Sequence, residues 1–126
     1  MLRLWGPVVA WAAAIFAVSS MTFGGGGPGI PDWLSHAGVY AVLGVLLSRA
    51  VVGGFPKPLS LAGALLVFVI GTLYGISDEF HQRFVPTRQS SAADVAKDAV
   101  GTALGALAYR LAAARWSGAT PRKGLA

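Results

Sequence analysis

The sequence predicts an all-α membrane protein, a four-transmembrane-helix bundle with both termini in the cytoplasm. Three observations carry that expectation. The chain of 126 residues is 55% hydrophobic and only 12% charged, roughly half the charged share of an ordinary soluble domain. Its apolar stretches come as four separate runs divided by glycine- and proline-containing segments, which end helices and form turns. Its charges are sorted: four of the five acids fall between Tyr74 and Asp98, whereas most of the basic residues lie elsewhere. With no cysteine, disulfides, thiolate metal sites and cysteine nucleophiles are excluded.

The first run, Leu4 to Met21, is uncharged, and at about 1.5 Å per residue it nearly covers the hydrocarbon thickness. Pro7 falls in the first turn, where a missing amide costs little. Arg3, the apolar core and the small residues Ala17, Ser19 and Ser20 also fit a cleaved signal peptide loosely, but the run is longer than a usual signal-peptide core. Gly24 to Pro31 reads as a flexible connection. Helix two is expected from Trp33 to Val52 and helix three from Leu59 to Phe80, joined by a tight turn, Gly53 to Pro58. A second connection, Gln82 to Ser90, leads to Ser91, which with Asp94 three residues on reads as a capping box opening a fourth helix that continues to Leu111. Residues 1–114 form one transmembrane domain on this reading, and 115–126 a flexible cytoplasmic tail, disordered or bound at the membrane surface.

Lipid gives apolar helices no hydrophobic reason to associate, so packing must come from close approach at small residues. Gly44 and Ser48, Gly71 and Gly75, and Gly101, Gly105, Ala108 and Ala112 form such ridges on helices two, three and four. With four spans, one side of the membrane collects Arg3, Arg49, Lys57, Arg110, Arg115, Arg122 and Lys123 and no acid; the other receives Arg83, Arg88 and Lys97 with all five acids and both histidines. The positive-inside bias then puts both termini in the cytoplasm of a multi-pass cell-membrane protein. The formal charge of +5 is explained as topology, and nucleic acid is not an expected partner.

The polar residues fall at helical spacing. Asp32, His36 and Tyr40 share one face of helix two, Tyr74, Asp78 and Gln82 one face of helix three, and Asp94 and Asp98 one face of helix four. An Asp at the centre of a span costs about 2.5–3.5 kcal/mol on insertion scales, so these stripes are expected to face one another or a wet crevice in the single interior of a four-helix unit. Arg83 and Arg88 are the available counter-charges, and Lys97 is read as snorkelling to the outer headgroups.

The pattern D-x-x-x-H-x-x-x-Y at Asp32, His36 and Tyr40, then Y-G-x-x-D-E-x-x-Q-x-F-x-P-x-R from Tyr74 to Arg88, then D-x-x-x-x-x-x-G at Asp94 and Gly101, resembles the VanZ family of small bacterial membrane proteins. The resemblance runs from Asp32 to about Leu107. Two positions depart from it: Trp33 stands where members usually carry Lys, and Asp98 where they usually carry Asn. The family is named for a member associated with reduced susceptibility to teicoplanin, a lipid-tailed glycopeptide. For this chain the resemblance thus implies a cell-envelope setting and an antibiotic-resistance association by name.

The residues themselves support three readings. In an enzyme, Asp78, Glu79, Asp94 and Asp98 hold a divalent cation, and Asp78, Glu79, His36 and Asp94 act on water and a lipid-linked phosphate or sugar headgroup, with Asp32, Tyr40, Tyr74, Gln82, Arg83 and Arg88 binding the substrate. In a binding protein, the same pocket recognises a membrane lipid, a lipid-linked envelope precursor or a lipid-tailed antibiotic without turnover. In a transporter, a homo-oligomer passes a small solute or ion. Against these stand structural roles: Asp94 as partner of the Ser91 cap, His81 as a solvated residue, Tyr40 and Tyr74 as interfacial or packing tyrosines, and the whole cluster as interhelical glue.

Overall fold

The computed structural model describes residues 1–21, 29, 31–86 and 88–119, and in these the chain is entirely helical outside its turns. Four helices follow in order: α1 (Leu2–Ser19), α2 (Asp32–Val51), α3 (Leu61–Gln82) and α4 (Ala92–Ala119). The first three are long and apolar enough to cross a membrane. Most of the expected glycine-rich connection (22–28 and 30), Thr87 and the end of the expected tail (120–126) lie outside the described residues.

Helix ends depart from expectation where local chemistry overrides hydropathy. α3 starts at Leu61 because Ser60 takes the N-cap, its hydroxyl accepting the Gly63 N–H at 3.1 Å. It runs past Phe80 to Gln82, so the polar residues at its end stay in helical register. α4 continues through Arg115 to Ala119, well past Leu111. The run Ala112-Ala113-Ala114 favours helix and no proline intervenes before Pro121. Between α2 and α3, Gly53 and Gly54 adopt positive φ (75° and 117°) and Phe55-Pro56 is cis, which is the tight turn the sequence predicts.

α2 is the hub. It packs most closely with α4, and α3 lies against both, while α1 rests on α2 and α3 and away from α4. The predicted small-residue ridges make the α2–α4 approach possible. A Cβ on Gly44 would overlap the Thr102 carbonyl, one on Gly101 the Ala37 backbone, and one on Gly105 the Ala41 carbonyl. Gly71 and Gly75 of α3 instead accommodate the Thr102 and Asp98 side chains of α4. The ridge does not extend as far as expected: Ala108 and Ala112 are exposed and line an open groove with Val45, Arg49, Phe55 and Tyr109. The core is formed by Leu43, Leu47, Val67, Ala106 and Ala113, with Val8 and Ile15 from α1. Polar pins complete it: Trp11 Nε1 donates to the Val39 carbonyl (3.0 Å), Tyr74 Oη to the Ala12 carbonyl (2.6 Å), and Tyr109 Oη reaches the Gly54 and Lys57 carbonyls (both 3.1 Å). Large apolar side chains such as Leu65, Val69, Leu73, Ile76 and Phe80 point outward. In water such a surface would be a large exposed patch; in a bilayer it is the lipid face.

Candidate functional site

The polar residues gather at one end of the bundle, where α1 and α3 end and α2 and α4 begin. They do not share one interior. Asp78 and Glu79 are sequence neighbours on α3, about 100° apart around the helix, and they face different partners.

Asp78 turns towards α1. Its Oδ1 accepts the Ser19 hydroxyl at 2.6 Å and its Oδ2 the Gln82 side-chain amide at 3.2 Å, and all three side chains are buried. Next to them the Ser20 hydroxyl meets His81 Nε2 at 2.9 Å, and the His81 ring lies 4.3 Å from the Phe16 ring, centroid to centroid. Arg88 donates to the Val18 and Met21 carbonyls at 3.2–3.4 Å, capping the C-terminal end of α1 where unpaired carbonyls favour a cation. His81 is therefore held by α1, not merely solvated.

Glu79 turns towards α4. Its Oε2 accepts the Ser91 backbone N–H at 3.0 Å. That bond replaces half of the expected capping box: Ser91 Oγ does accept the Ala93 N–H at 3.1 Å, but the Ser91 N–H goes to Glu79 instead of Asp94. Asp94 is free of capping duty and pairs with Lys97. Lys97, from one turn further along α4, also reaches Asp32 of α2. It bridges the first turns of α2 and α4, a role not foreseen for it; its three-residue spacing from Asp94 was the available signal. Arg83, by contrast, lies over the Phe80 ring at 5.9 Å from its centroid.

Below that bridge His36 Nδ1 and Asp98 Oδ1 share a hydrogen bond of 2.9 Å, and His36 Nε2 stands 3.6 Å from Asp32 Oδ1. Glu79, Asp98 and Tyr40 are 3%, 1% and 2% exposed. Glu79 Oε1, Asp98 Oδ2 and the Tyr40 hydroxyl have no hydrogen-bond partner among the described residues. Unpaired polar atoms this deep are costly unless something outside the chain pairs them. Tyr40 and Tyr74 stack obliquely, with centroids 6.2 Å apart, but the Tyr74 hydroxyl is spent on α1.

Two sets of three potential ligand atoms converge among the described residues, each within 4.8 Å: Asp32, His36 and Asp94 nearer the surface, and His36, Glu79 and Asp98 deeper in the bundle. The carboxylates expected to act together are thus divided. Glu79 and Asp98 join His36 in the deep set, Asp94 joins Asp32 and His36 in the outer one, and Asp78 belongs to neither. Asp32, His36, Tyr40, Glu79, Asp94 and Asp98 line the α2–α3–α4 side; Tyr74, Asp78 and Gln82 bond within α3 or to α1, and Arg88, from the connection after α3, bonds to the end of α1. Ser19, Ser20 and Lys97 complete the two groups.

No curated protein and no solved structure matches the chain. The family model described as VanZ/LLP1 matches residues 9–113. The match starts inside α1, earlier than the motif resemblance beginning at Asp32, and takes in both polar groups. Covering most of the sequence, it establishes that the chain belongs to the VanZ/LLP1 family of membrane proteins.

Proposed function

We propose that the chain is a multi-pass protein of the cell membrane with four spans and cytoplasmic termini, and that its α2–α3–α4 cleft takes the polar headgroup of a lipid or lipid-linked envelope precursor from the extracytoplasmic leaflet. The fourth span is α4. Its 28 residues extend about 42 Å, more than the hydrocarbon core requires, and its charges Asp94, Lys97, Asp98, Arg110 and Arg115 leave an uncharged middle. The orientation rests on the basic residues collected beside the α2–α3 turn and the two termini.

One observation carries the headgroup reading: the polar side chains of three helices meet at one end of an apolar bundle and leave two buried carboxylate oxygens and a tyrosine hydroxyl unpaired. A cluster that only held helices together would satisfy itself, as Asp78 does with Ser19 and Gln82. Carboxylate oxygens accept hydrogen bonds from sugar or glycerol hydroxyls, and a phosphate can compete with Asp32 and Asp94 for the Lys97 ammonium that bridges them. Processing as well as binding is within reach of the geometry. With the shared proton on Nδ1, held by Asp98, His36 Nε2 faces the mouth as a proton acceptor.

The test is mass spectrometry of the detergent-purified protein. Wild type is expected to carry a co-purified lipid with a polar or glycan headgroup, and Glu79→Gln to lose it while melting at a similar temperature. Equal lipid in both proteins, or none in wild type, contradicts the reading.

A further inference from the structure

We infer that His36, Glu79 and Asp98 form a binding site for one divalent transition-metal cation, of the zinc or manganese class. The inference deepens the headgroup reading, on which it rests for the location of the cleft. Its footing is the convergence of one imidazole nitrogen and two carboxylate oxygens from α2, α3 and α4 within 4.8 Å of one another. Because each ligand comes from a different helix, the set exists only in the assembled bundle.

Charge and hydrogen bonding point to the same occupant independently. Glu79 and Asp98 are 3% and 1% exposed, and each keeps one oxygen without a partner. The nearby ammonium, Lys97, is committed to Asp32 and Asp94, and no ion pair reaches Glu79 among the described residues. One divalent ion supplies the two positive charges that offset both carboxylates when they are ionised beside a neutral imidazole. The space beside Asp98 is kept by Gly75, where a Cβ would come within 3.2 Å of Asp98 Oδ2.

The spacing suits an ion of modest size. Two ligands at about 2.1 Å from a metal lie about 3.0 Å apart at an octahedral right angle and about 3.4 Å apart at the tetrahedral angle zinc prefers. His36 Nδ1 and Asp98 Oδ1 are 2.9 Å apart, so an ion can replace the proton they share. An imidazole among carboxylates favours zinc or manganese over calcium or magnesium, whose preferred ligands are all oxygen. Three protein ligands leave coordination positions open for water or a headgroup oxygen. The outer set of Asp32, His36 and Asp94 is set aside because the Lys97 ammonium already bonds both of its carboxylates, leaving neither of those oxygens without a partner.

The full chain in detergent, stripped with a chelator, is titrated with Mn²⁺ by electron paramagnetic resonance and with Zn²⁺ by calorimetry. Thermal unfolding is followed in parallel. One equivalent of either ion is expected to bind and raise the melting temperature. Removing an outer-shell partner of a metal costs about 10–100-fold in affinity; loss of a direct ligand in Glu79→Gln is expected to cost about 100-fold, and His36→Gln serves equally if Glu79→Gln does not fold. Asp78→Asn, which removes the neighbouring carboxylate, is expected to bind as wild type does. No binding of either ion, equal affinity in Glu79→Gln, or a loss confined to Asp32→Asn and Asp94→Asn overturns the inference. Lipid content measured on the same samples separates the two readings. Lipid retained without metal binding overturns the metal site and leaves the headgroup reading standing, whereas metal bound without lipid does the reverse.

Discussion

The two polar groups at the end of the bundle both bury carboxylates and have opposite bookkeeping of hydrogen bonds. Between α1 and α3, a buried carboxylate, Asp78, has a donor for each oxygen. Between α2, α3 and α4, the equally buried Glu79 and Asp98 each keep an oxygen with none. A closed set of bonds fastens one helix to another; an open set at the same depth waits for something. The difference teaches that burial and charge do not by themselves tell a fastening from an open set, and that the hydrogen-bond partners do.

The strongest way to break the contrast is to part α2 from α4. Gly105→Leu drives a side chain into the Ala41 backbone, and overpacking of this kind costs about 1–3 kcal/mol, occasionally more. A melting curve in detergent is expected to fall, with the cleft ligand lost, because His36 and Asp98 sit on the two helices being separated. Asp78→Ala comes next. It removes the acceptor of two buried donors, at about 1–3 kcal/mol, and is expected to lower the melting temperature while folded protein keeps its ligand.

Glu79→Gln sharpens the comparison from the other side. Glutamine still offers an oxygen to the Ser91 N–H and removes a buried charge, so the ligand-free protein is expected to melt at the wild-type temperature or slightly above, with ligand binding lost. Lys97→Met has the smallest expected effect on stability, since its partner Asp32 is largely exposed and such pairs contribute little. Here the readout is binding: a phosphate-bearing lipid is expected to be held less well, as measured by lipid content against wild type.

Much of this was readable in the sequence. Apolar runs and their glycine and proline boundaries mark three spans, and the small residues at Gly44, Gly101 and Gly105 anticipate where backbones meet. The Asp32–His36–Tyr40 stripe lies on one side of one helix as spacing requires. Periodicity states which residues share a face, but not which neighbour the face meets. For that reason Asp78 and Glu79 were grouped although the helix turns them apart, towards α1 and α4. α1 looked inert because its contribution comes from two short side chains, Ser19 and Ser20, and from backbone carbonyls, which leave no pattern. Lys97 has the same appearance whether it reaches headgroups or bridges Asp32 and Asp94; only the approach of α2 to α4 decides between them.

The most direct test pairs the two neighbouring carboxylates in one experiment, measuring melting temperature and bound ligand for Asp78→Ala and Glu79→Gln side by side. The expected result is crossed: Asp78→Ala loses stability and keeps the ligand, and Glu79→Gln keeps stability and loses it. If both variants lose stability together with no separate loss of ligand, the α2–α3–α4 cluster is another fastening between helices and the cleft is not a site.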